Sequence, residues 1–425
     1  MARGLSAARG TPSSYRVLMI APTGFFADYG CHVRIQGHAQ ALQACGHQVR
    51  IVTYPGGREV PGLTIVRPPW PPGARGRDMP VGSSWRKLAL DLLLASAVWQ
   101  TAGRWQPHLV HAYLHEGALL GALLSARQRL PLVFDFQGSL VGEMLDHRFL
   151  APHSPLLPAW QRLERWIDQQ PAAILASSQH AHDLLVTTFG VPAARVTTLP
   201  DSVDPAQFRP ASMFAAHELA ALRAQLGLPS GRPLVVYLGL LAPYQGIDLL
   251  LQAARALQRS PPTAAGRPFF LIMGFPFVEH YRRLAQRLGL AADVLFTGMV
   301  PFADAPRHVA LGDVAVAPKL SATEGSGKLL TYMASALPVV AFDTPVHREY
   351  LGDLGFYAAP ADSHALAAAL TAALHDPLAA RTRGAALRAR AVQHYTWPHA
   401  AAAIEEIYHR VSSASWLNNV VTPEA

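Results

Sequence analysis

The sequence predicts an α/β protein with two consecutive, doubly wound Rossmann-like domains that face a cleft. Short apolar runs typical of buried strands alternate with helical patterns along the chain, as they do in parallel sheets. A proline-punctuated segment, DSVDPAQFRP at 201–210, separates two rounds of this alternation. A length of 425 residues with 50% hydrophobic side chains favours two large cores over one and excludes a disordered chain.

The first round of strands and helices predicts an N-terminal domain over residues 15–203. The strand YRVLMIA is followed by a glycine-containing loop, a helical pattern that Gly46 ends, and the strand QVRIVTY. The later strands of this round are LVHAYL, PLVFDF, AAILAS and VTTLP, with helical patterns between them. Residues 1–14 contain no apolar stretch, so they predict a disordered tail and no signal peptide.

The second round predicts a C-terminal domain over residues 204–395. Its strands are RPLVVYLG, FFLIMG, VLFTG, VAVAP and PVVAF, and helical patterns such as KLLTYMASA separate them. In doubly wound sheets, ligands bind beyond the carboxyl ends of the strands. We therefore expect the functional residues in the loops that follow the strands.

Composition and charge limit the function classes. The net charge is +8, and the 36 basic residues include only three lysines, Lys87, Lys319 and Lys328. A basic surface fits nucleic acid, an anionic membrane or a phosphorylated substrate. No nucleic-acid-binding motif accompanies the charge, so no nucleic acid partner is expected, and two cysteines exclude a disulfide framework. We expect a cytoplasmic protein, with peripheral attachment to the inner face of a membrane left open.

The segment PKLSATEGSGKLLTYMA, at 318–334, has the pattern of an anion-binding loop. It runs from a strand end through two glycines into a helix that should start near Ser326 or Gly327. A helix start presents unpaired backbone N–H groups, and glycines let a phosphate approach the backbone closely. Lys319 and Lys328 bracket the loop and Glu324 lies within it, which fits transfer from a sugar nucleotide. The alternative is that Ser326 merely caps the helix and both lysines are solvated surface charges.

Other patterns bear on metal and dinucleotide sites. The chain contains no Asp-x-Asp pair, no GxGxxG and no P-loop, so neither a metal-dependent transferase nor a nicotinamide site is indicated. His108, His111 and His115 have nearly the spacing of metal ligands, but at a strand end they would not share one face, so no metal site is expected. His115 directly follows the strand, and we expect it to touch the acceptor or the reacting sugar.

Several motifs resemble those of the family-4 retaining glycosyltransferases, whose fold is called GT-B. The family's donor signature resembles 318–334. Counterparts of four other segments occur along the chain in the same order as in the family: TLPDSVDPAQFRP, YLGLLAPYQGIDLLLQA, VLFTGMVPFADAP and YTWPHAAAAIEEIYHRV. The likeness therefore covers residues 15–412. The resemblance implies a metal-independent enzyme that moves a hexose from a nucleoside diphosphate sugar, without a cofactor, to a hydroxyl acceptor. That acceptor would be a glycan, a glycolipid or a polyprenyl-linked sugar. A last helix, 396–415, would pack back on the first domain.

The resemblance also assigns roles at the donor. Glu324 would hold the transferred sugar, while Thr331 stands near the place of a second glutamate that binds the ribose in the family. The family's diphosphate-binding arginine and lysine correspond here to Leu240 and Gln245, so both charges are absent. The two lysines of the 318–334 segment are predicted to replace them.

Further positions gain a role only from the resemblance. Gln137 stands where the family often has a histidine, so proton abstraction by a side chain at that point is in question, and Val300 stands where the family contacts the nucleobase. The remaining predicted donor-site residues are Gly30, Gly239, Gly325, Ser326, Gly327 and Leu329.

Other functions and partners stay open at this point. A protein of this fold could bind sugar nucleotides without catalysis, as a scaffold, or could be a sugar-nucleotide epimerase. The apolar pattern LALDLLLASAVW fits a helix that lies on an anionic membrane, or equally a core-facing helix with solvated arginines. The basic residues around this helix are Arg67, Arg75, Arg77, Arg86 and Lys87.

Overall fold

The computed structural model describes residues 14–26, 30–70, 86–146, 149–261, 266–321 and 325–413. The chain forms two compact units. Unit 1 includes Cys31–Leu199 together with the first strand and the chain from Pro398, and unit 2 includes Pro200–Trp397. Among the described residues, no helix has the length and apolar character needed to cross a membrane.

Unit 1 contains a seven-stranded, entirely parallel sheet with the order β3-β2-β1-β4-β5-β6-β7. Every residue of the central strands β4 and β5 is buried, which explains their continuous apolar sequence. The strands are β1 (Arg16–Ala21), β2 (Gln48–Thr53), β3 (Thr64–Val66), β4 (Leu109–Tyr113), β5 (Leu132–Phe136), β6 (Ala173–Ala176) and β7 (Val196–Thr198).

Helices connect these strands and cover both faces of the sheet, as parallel crossovers require. Those between strands of unit 1 are α1 (Gly30–Ala44), α2 (Arg86–Trp105), α3 (Leu114–Gln128), α4 (Leu140–Asp146), α5 (Leu157–Gln169) and α6 (Gln179–Thr187).

Unit 2 contains a six-stranded parallel sheet with the order β10-β9-β8-β11-β12-β13. Its strands are β8 (Leu234–Leu238), β9 (Phe269–Met273), β10 (Val294–Gly298), β11 (Val314–Ala317), β12 (Val339–Phe342) and β13 (Phe356–Ala358). The helices from this part of the chain onward are α7 (Ala216–Gln225), α8 (Ile247–Arg259), α9 (Val278–Arg287), α10 (Ala305–Val309), α11 (Gly327–Ala334), α12 (Pro345–Leu351), α13 (Ser363–His375), α14 (Pro377–His394) and α15 (Trp397–Ser412).

The strand order reverses once in each sheet. The reversal lies between β1 and β4 in unit 1 and between β8 and β11 in unit 2. In doubly wound sheets the loops that follow the two strands at this switch point form the ligand crevice. The prediction of two doubly wound α/β domains is therefore confirmed, and the expected ligand loops are those that follow β1 and β4 in unit 1 and β8 and β11 in unit 2.

The last helix, α15, packs on unit 1 through an apolar stripe and three polar contacts. Ile404, Tyr408 and Val411, spaced four and three residues apart, are buried on one face. The Tyr408 hydroxyl lies 2.6 Å from His111 Nδ1, the Tyr15 hydroxyl 2.9 Å from His409 Nδ1, and His47 Nε2 3.0 Å from Glu405 Oε1. These pairs fix the register of the helix against β1, β2 and β4 of the sheet.

Candidate active site

The loops after β8 and β11 meet at the switch point of unit 2, and two glycines permit this approach. Gly246 has φ +74°, and a Cβ on it would lie 1.9 Å from the Pro318 carbonyl oxygen. Gly239 has φ +152°, and a Cβ there would lie 2.8 Å from Lys328 Nζ. A larger residue at Gly246 would push the 239–246 turn away from the loop that follows β11, whereas one at Gly239 would displace the Lys328 ammonium.

Lys328, in the first turn of α11, reaches across to the turn after β8. Its ammonium donates hydrogen bonds to Gln245 Oε1 at 2.5 Å and to the Tyr237 hydroxyl at 3.1 Å. The same ammonium lies 4.4 Å from the centroid of the Tyr237 ring, within range of a cation–π interaction. The structure thus brings together Lys328, Gln245 and Gly239, three of the residues predicted for the donor.

Lys319 has a different environment from Lys328. It is 4% exposed, and its ammonium donates a hydrogen bond to the Gly325 carbonyl oxygen at 2.7 Å. This contact ties the end of β11 to the residues just before α11. Lys319 therefore holds the shape of the loop, whereas Lys328 extends to the turn on the neighbouring strand.

Helix α11 begins at Gly327 with no side-chain cap. The Ser326 hydroxyl is buried and has no hydrogen-bond partner among the described residues, so it does not act as the cap that the alternative interpretation required. A Cβ on Gly327 would lie 3.2 Å from Asp201 Oδ2, so a carboxylate stands beside this helix start. Sequence reasoning did not single out Asp201, because it belongs to the segment read as a linker.

Two predicted donor residues of α11 use their polar groups inside the protein. Leu329 is fully buried in the core of unit 2, and its amide donates to the Ser326 carbonyl oxygen at 2.9 Å. Its side chain therefore serves the core, and its predicted role at the donor stays a prediction. The Thr331 hydroxyl donates to the Lys328 carbonyl oxygen at 2.7 Å and retains only acceptor capacity.

The predicted roles of three further residues are not tested by the structure. Glu324 lies outside the described residues. Val300 is half-buried and packs against the core of unit 2, and Gly30 is exposed at the start of α1. Their predicted roles stay predictions.

A buried histidine behind the loop, His347, was not found by sequence reasoning. Burial, together with the charges of Lys319 and Lys328, lowers its pKa to about 4. Its Nδ1 lies 2.7 Å from the Phe342 carbonyl oxygen and thus carries the proton. Burial is the largest cause of the lowered pKa, and the two lysine charges add to it. No pattern around VHREYL signalled this residue.

In unit 1, His115 lies in the first turn of α3, directly after β4. Its ring is buried between Phe134 and Phe136, with ring centroids 5.2 and 5.4 Å apart. Its Nε2 lies 3.3 Å from Asp168 Oδ1 and 3.7 Å from Glu164 Oε1, both on α5. Burial alone would lower its pKa, but the Asp168 contact and both carboxylate charges raise the pKa to about 9. The ring faces the carboxylates of α5, whereas the sequence predicted that it would touch the acceptor or the reacting sugar.

Gln137 follows β5 and is half-buried. Its Nε2 is buried and has no hydrogen-bond partner among the described residues, while its backbone carbonyl accepts from the Ser177 hydroxyl at 3.3 Å. The side-chain amide is therefore a buried donor just beyond the strand, with no partner among the described residues. An amide can orient a substrate group, but it does not take up a proton near neutral pH.

The three histidines with ligand-like spacing lie in separate surroundings. His108 accepts from the Arg16 amide, His111 contacts Tyr408, and His115 faces α5.

His111 belongs to a buried group of side chains with His38 and Asp135, which sequence reasoning did not find. In it Arg34 forms a bidentate ion pair with Asp135, with Nε to Oδ1 and Nη2 to Oδ2 both at 2.9 Å.

Comparison with known proteins supports the fold and the family. The model of the glycosyl transferase 4-like domain matches residues 29–201, and the model of the glycosyl transferases group 1 matches residues 232–376. The chain belongs to the group 1 glycosyltransferases. Metal independence and retention of anomeric configuration are typical of this family. The prediction of a glycosyltransferase is thereby confirmed.

The chain is similar to individual glycosyltransferases in sequence and to a solved structure in fold. It is 30% identical over 260 residues to a GDP-mannose-dependent α-(1-6)-phosphatidylinositol monomannoside mannosyltransferase of Mycolicibacterium smegmatis. The matched region spans 59% of this chain and 66% of the relative, which is slightly less than two thirds of the relative's length. It is 28% identical over 320 residues to a D-inositol 3-phosphate glycosyltransferase of Kineococcus radiotolerans, over 71% of each. Sucrose-phosphate synthase of Thermosynechococcus elongatus has the same GT-B fold, with a TM-score of 0.78, 20% identity, and coverage of 94% of this chain and all of that one.

Proposed function

We propose that this chain is a retaining, metal-independent hexosyltransferase that moves a hexose from a nucleoside diphosphate sugar to the hydroxyl of a glycolipid or glycan acceptor. The observation that carries the proposal is the position of the Lys328 ammonium. It lies at the switch point of the unit 2 sheet, where it contacts Gln245 and Tyr237. The names of both curated relatives, one GDP-mannose-dependent and both acting on inositol-containing acceptors, are consistent with this class.

Lys328 supplies the positive charge that the turn after β8 lacks. Leu240 and Gln245 stand where the family has a basic pair, and neither can neutralise a departing diphosphate. The side chain of Lys328 comes to the Gln245 amide from 83 residues further along the chain, so one charge is restored at that place. Electrostatic stabilisation of the leaving diphosphate is worth most in a site where the donors are already oriented.

The other proposed roles follow from the same loops. Glu324 holds the transferred sugar, Lys319 keeps the loop in shape through the Gly325 carbonyl, and Val300 borders the nucleobase. Gln137 orients a hydroxyl but cannot accept its proton, so the proton goes to an oxygen of the departing diphosphate. His115 and Leu329 are not part of this proposal, because both are buried in other contacts.

The test is donor affinity in Lys328→Ala. Calorimetric titration with a panel of nucleoside diphosphates and their hexose derivatives should show a loss of about 10- to 100-fold, the usual worth of a charge-assisted hydrogen bond to phosphate. Arg287→Ala, which removes an exposed charge from α9 of the same unit, is the matched control and should bind normally.

A second variant makes this test specific to position. Adding Gln245→Lys to Lys328→Ala restores the charge at the family position, and should recover most of the affinity. Equal affinity of Lys328→Ala and the wild type would contradict the proposal. Transfer measured with and without acceptor then separates a transferase from an epimerase and from a non-catalytic binding protein.

We also propose that α2 rests on an anionic membrane that carries a lipid-linked acceptor. Leu88 and Leu92, one turn apart, are 56% and 76% exposed, so the first turns of this helix present apolar side chains outside the core. Of the basic residues predicted around this helix, Arg67 instead bonds the Gly56 and Phe25 carbonyls. Arg75 and Arg77 lie outside the described residues, as do the side chains of Arg86 and Lys87.

Sedimentation with vesicles of anionic phospholipid at low salt tests the membrane proposal. The double variant Leu88→Gln, Leu92→Gln should bind several-fold less protein to the vesicles than the wild type. Leu123→Gln changes an equally apolar residue of α3 that is 48% exposed, and should leave vesicle binding unchanged. No sedimentation of the wild type would refute the membrane contact and leave the donor site untouched.

A further inference from the structure

A group of three side chains in unit 1 has the composition of a metal site. His115 at the start of α3 and Glu164 and Asp168 on α5 are all buried. One nitrogen and two carboxylate oxygens from these residues lie within 4.8 Å of one another. We refer to these three residues as the acidic cluster.

Asp168 is the unusual member of the acidic cluster. It is 0% exposed, and neither of its carboxylate oxygens has a hydrogen-bond donor among the described residues. The nearest polar atom given for it is His115 Nε2 at 3.3 Å, which also has no hydrogen-bond partner of good geometry. A buried carboxylate is expensive without hydrogen-bond donors, and a metal ion bound by both His115 and Asp168 would supply the partner that both lack.

The two distances from His115 Nε2 are longer than charged hydrogen bonds and close to those between ligands of one ion. His115 Nε2 lies 3.3 Å from Asp168 Oδ1 and 3.7 Å from Glu164 Oε1. Zinc binds nitrogen and carboxylate oxygen at roughly 2.0–2.2 Å, so neighbouring ligands of a tetrahedral ion are about 3.3–3.6 Å apart. A charged hydrogen bond would instead bring the two atoms to about 2.7–2.9 Å.

The surrounding residues already hold the ligand groups in place. Glu164 accepts the Leu140 amide at 2.7 Å on Oε1 and the Val141 amide at 3.1 Å on Oε2, at the start of α4. The rings of Phe134 and Phe136 fix the imidazole edge-on. Hydrogen bonds and packing of this kind behind the ligands are typical of protein metal sites.

The second buried cluster of unit 1 shows what a closed ion pair looks like. Asp135 there also lies near two histidines, His38 and His111. The guanidinium of Arg34 donates to both of its oxygens at 2.9 Å, so the positive charge that a metal ion would bring is already present. Neither Glu164 nor Asp168 has an arginine or lysine partner in the part of the chain that the structure describes.

We propose that the acidic cluster binds one structural zinc ion, with His115 Nε2, Asp168 Oδ1 and Glu164 Oε1 as protein ligands and water as the fourth. The ion joins α3 to α5 beneath the carboxyl ends of β4 and β5. It takes no part in sugar transfer, and the proposal does not depend on the proposed function. Zinc suits this set better than magnesium, because imidazole is a poor ligand for magnesium and three ligands plus water complete a tetrahedron.

Metal content of the untagged full chain tests the zinc proposal. After incubation with zinc chloride and removal of loosely bound metal, elemental analysis should find about one zinc per wild-type chain. Asp168→Asn should retain less than a fifth of that amount. Asp183→Asn removes the carboxylate of an exposed histidine–aspartate pair on α6, with His182 Nδ1 3.2 Å away, and should retain all of it.

Cobalt substitution of the wild type decides the matter if Asp168→Asn does not fold. Wild type loaded with cobalt chloride should show the intense visible bands of a tetrahedral ion. Chelation should abolish these bands and lower the melting temperature. Three results would each overturn the proposal and identify the cluster as an ion pair. They are fewer than one zinc in ten wild-type chains, equal zinc in Asp168→Asn and Asp183→Asn, or no visible bands in the cobalt-loaded wild type.

Discussion

The two buried histidine–carboxylate clusters of unit 1 contain similar groups but differ in their counterion. Asp135 is held on both oxygens by Arg34, whereas the imidazole of His115 is the only basic group that contacts Asp168 among the described residues. Both carboxylates are 0% exposed. The difference shows that burial does not by itself determine the chemistry of such a cluster. A forked guanidinium closes the site, and its absence leaves ligand atoms available to an ion.

The counterion also determines the charge of the neighbouring histidines. Burial and then the Arg34 charge lower the pKa of His111 to about 3, and the same causes hold the pKa of His38 well below its usual value. The Asp168 and Glu164 carboxylates overcome burial at His115 and raise its pKa to about 9. One cluster therefore keeps its histidines neutral, and the other protonates its histidine when no metal is bound.

The largest effect is expected from Arg34→Met, which leaves Asp135 buried without a cation. Breaking a buried pair on one side costs about 3–5 kcal/mol of unfolding free energy, and urea unfolding measures it. Arg34→Met combined with Asp135→Asn removes the stranded charge and should recover part of the loss. If the single and the double variant were equally unstable, the ion pair would not be the reason that this cluster is closed.

A smaller effect on the free energy of unfolding is expected as the pH changes, and its sign is opposite in the two clusters. The folded pKa of His111 lies below its unfolded value of 6.5, so its contribution is complete above pH 6.5 and is lost as the pH falls. The folded pKa of His115 lies above 6.5, so its contribution in metal-free protein is complete below pH 6.5 and is lost as the pH rises through about 9. Between its folded and unfolded pKa values, each histidine changes the free energy of unfolding by roughly 1.4 kcal/mol per pH unit.

Unfolding in urea with a chelator present, at several pH values from 5 to 9.5, measures both trends. His111→Gln should flatten only the acidic side of the stability curve, and His115→Gln only the alkaline side. Identical curves for His115→Gln and the wild type would show that the carboxylates of α5 do not protonate this histidine.

The smallest effect is expected from Tyr408→Phe, which removes the hydroxyl that contacts His111 Nδ1 at 2.6 Å. The variant should lose about 1–2 kcal/mol, because one buried hydrogen bond is lost while the ring still packs. Tyr15→Phe removes the contact to the less buried His409 and is expected to cost less. A larger loss in Tyr15→Phe would show that α15 is held mainly by its contact with Tyr15 and not by the contact between Tyr408 and His111.

Much of the fold could be predicted because its signals are local. Apolar runs such as FFLIMG and PVVAF identify strands that are buried on both faces, and the glycines before Lys328 identify a helix start. Leu329 shows the limit of such reasoning. A residue inside a donor motif was assigned to the donor, whereas helical periodicity directs its side chain into the core.

The sequence by itself determined the two rounds of strands and helices, the family, and the loop at 318–334 that carries two of the three lysines. Only the tertiary structure decided which charges meet. Arg34 and Asp135 are 101 residues apart, and Lys328 and Gln245 are 83 apart. Periodicity reports which face of an element is buried, but a pairing between distant elements depends on strand order and on the exact closure of loops. For that reason the acidic cluster of His115 was visible only once α3 and α5 were placed together.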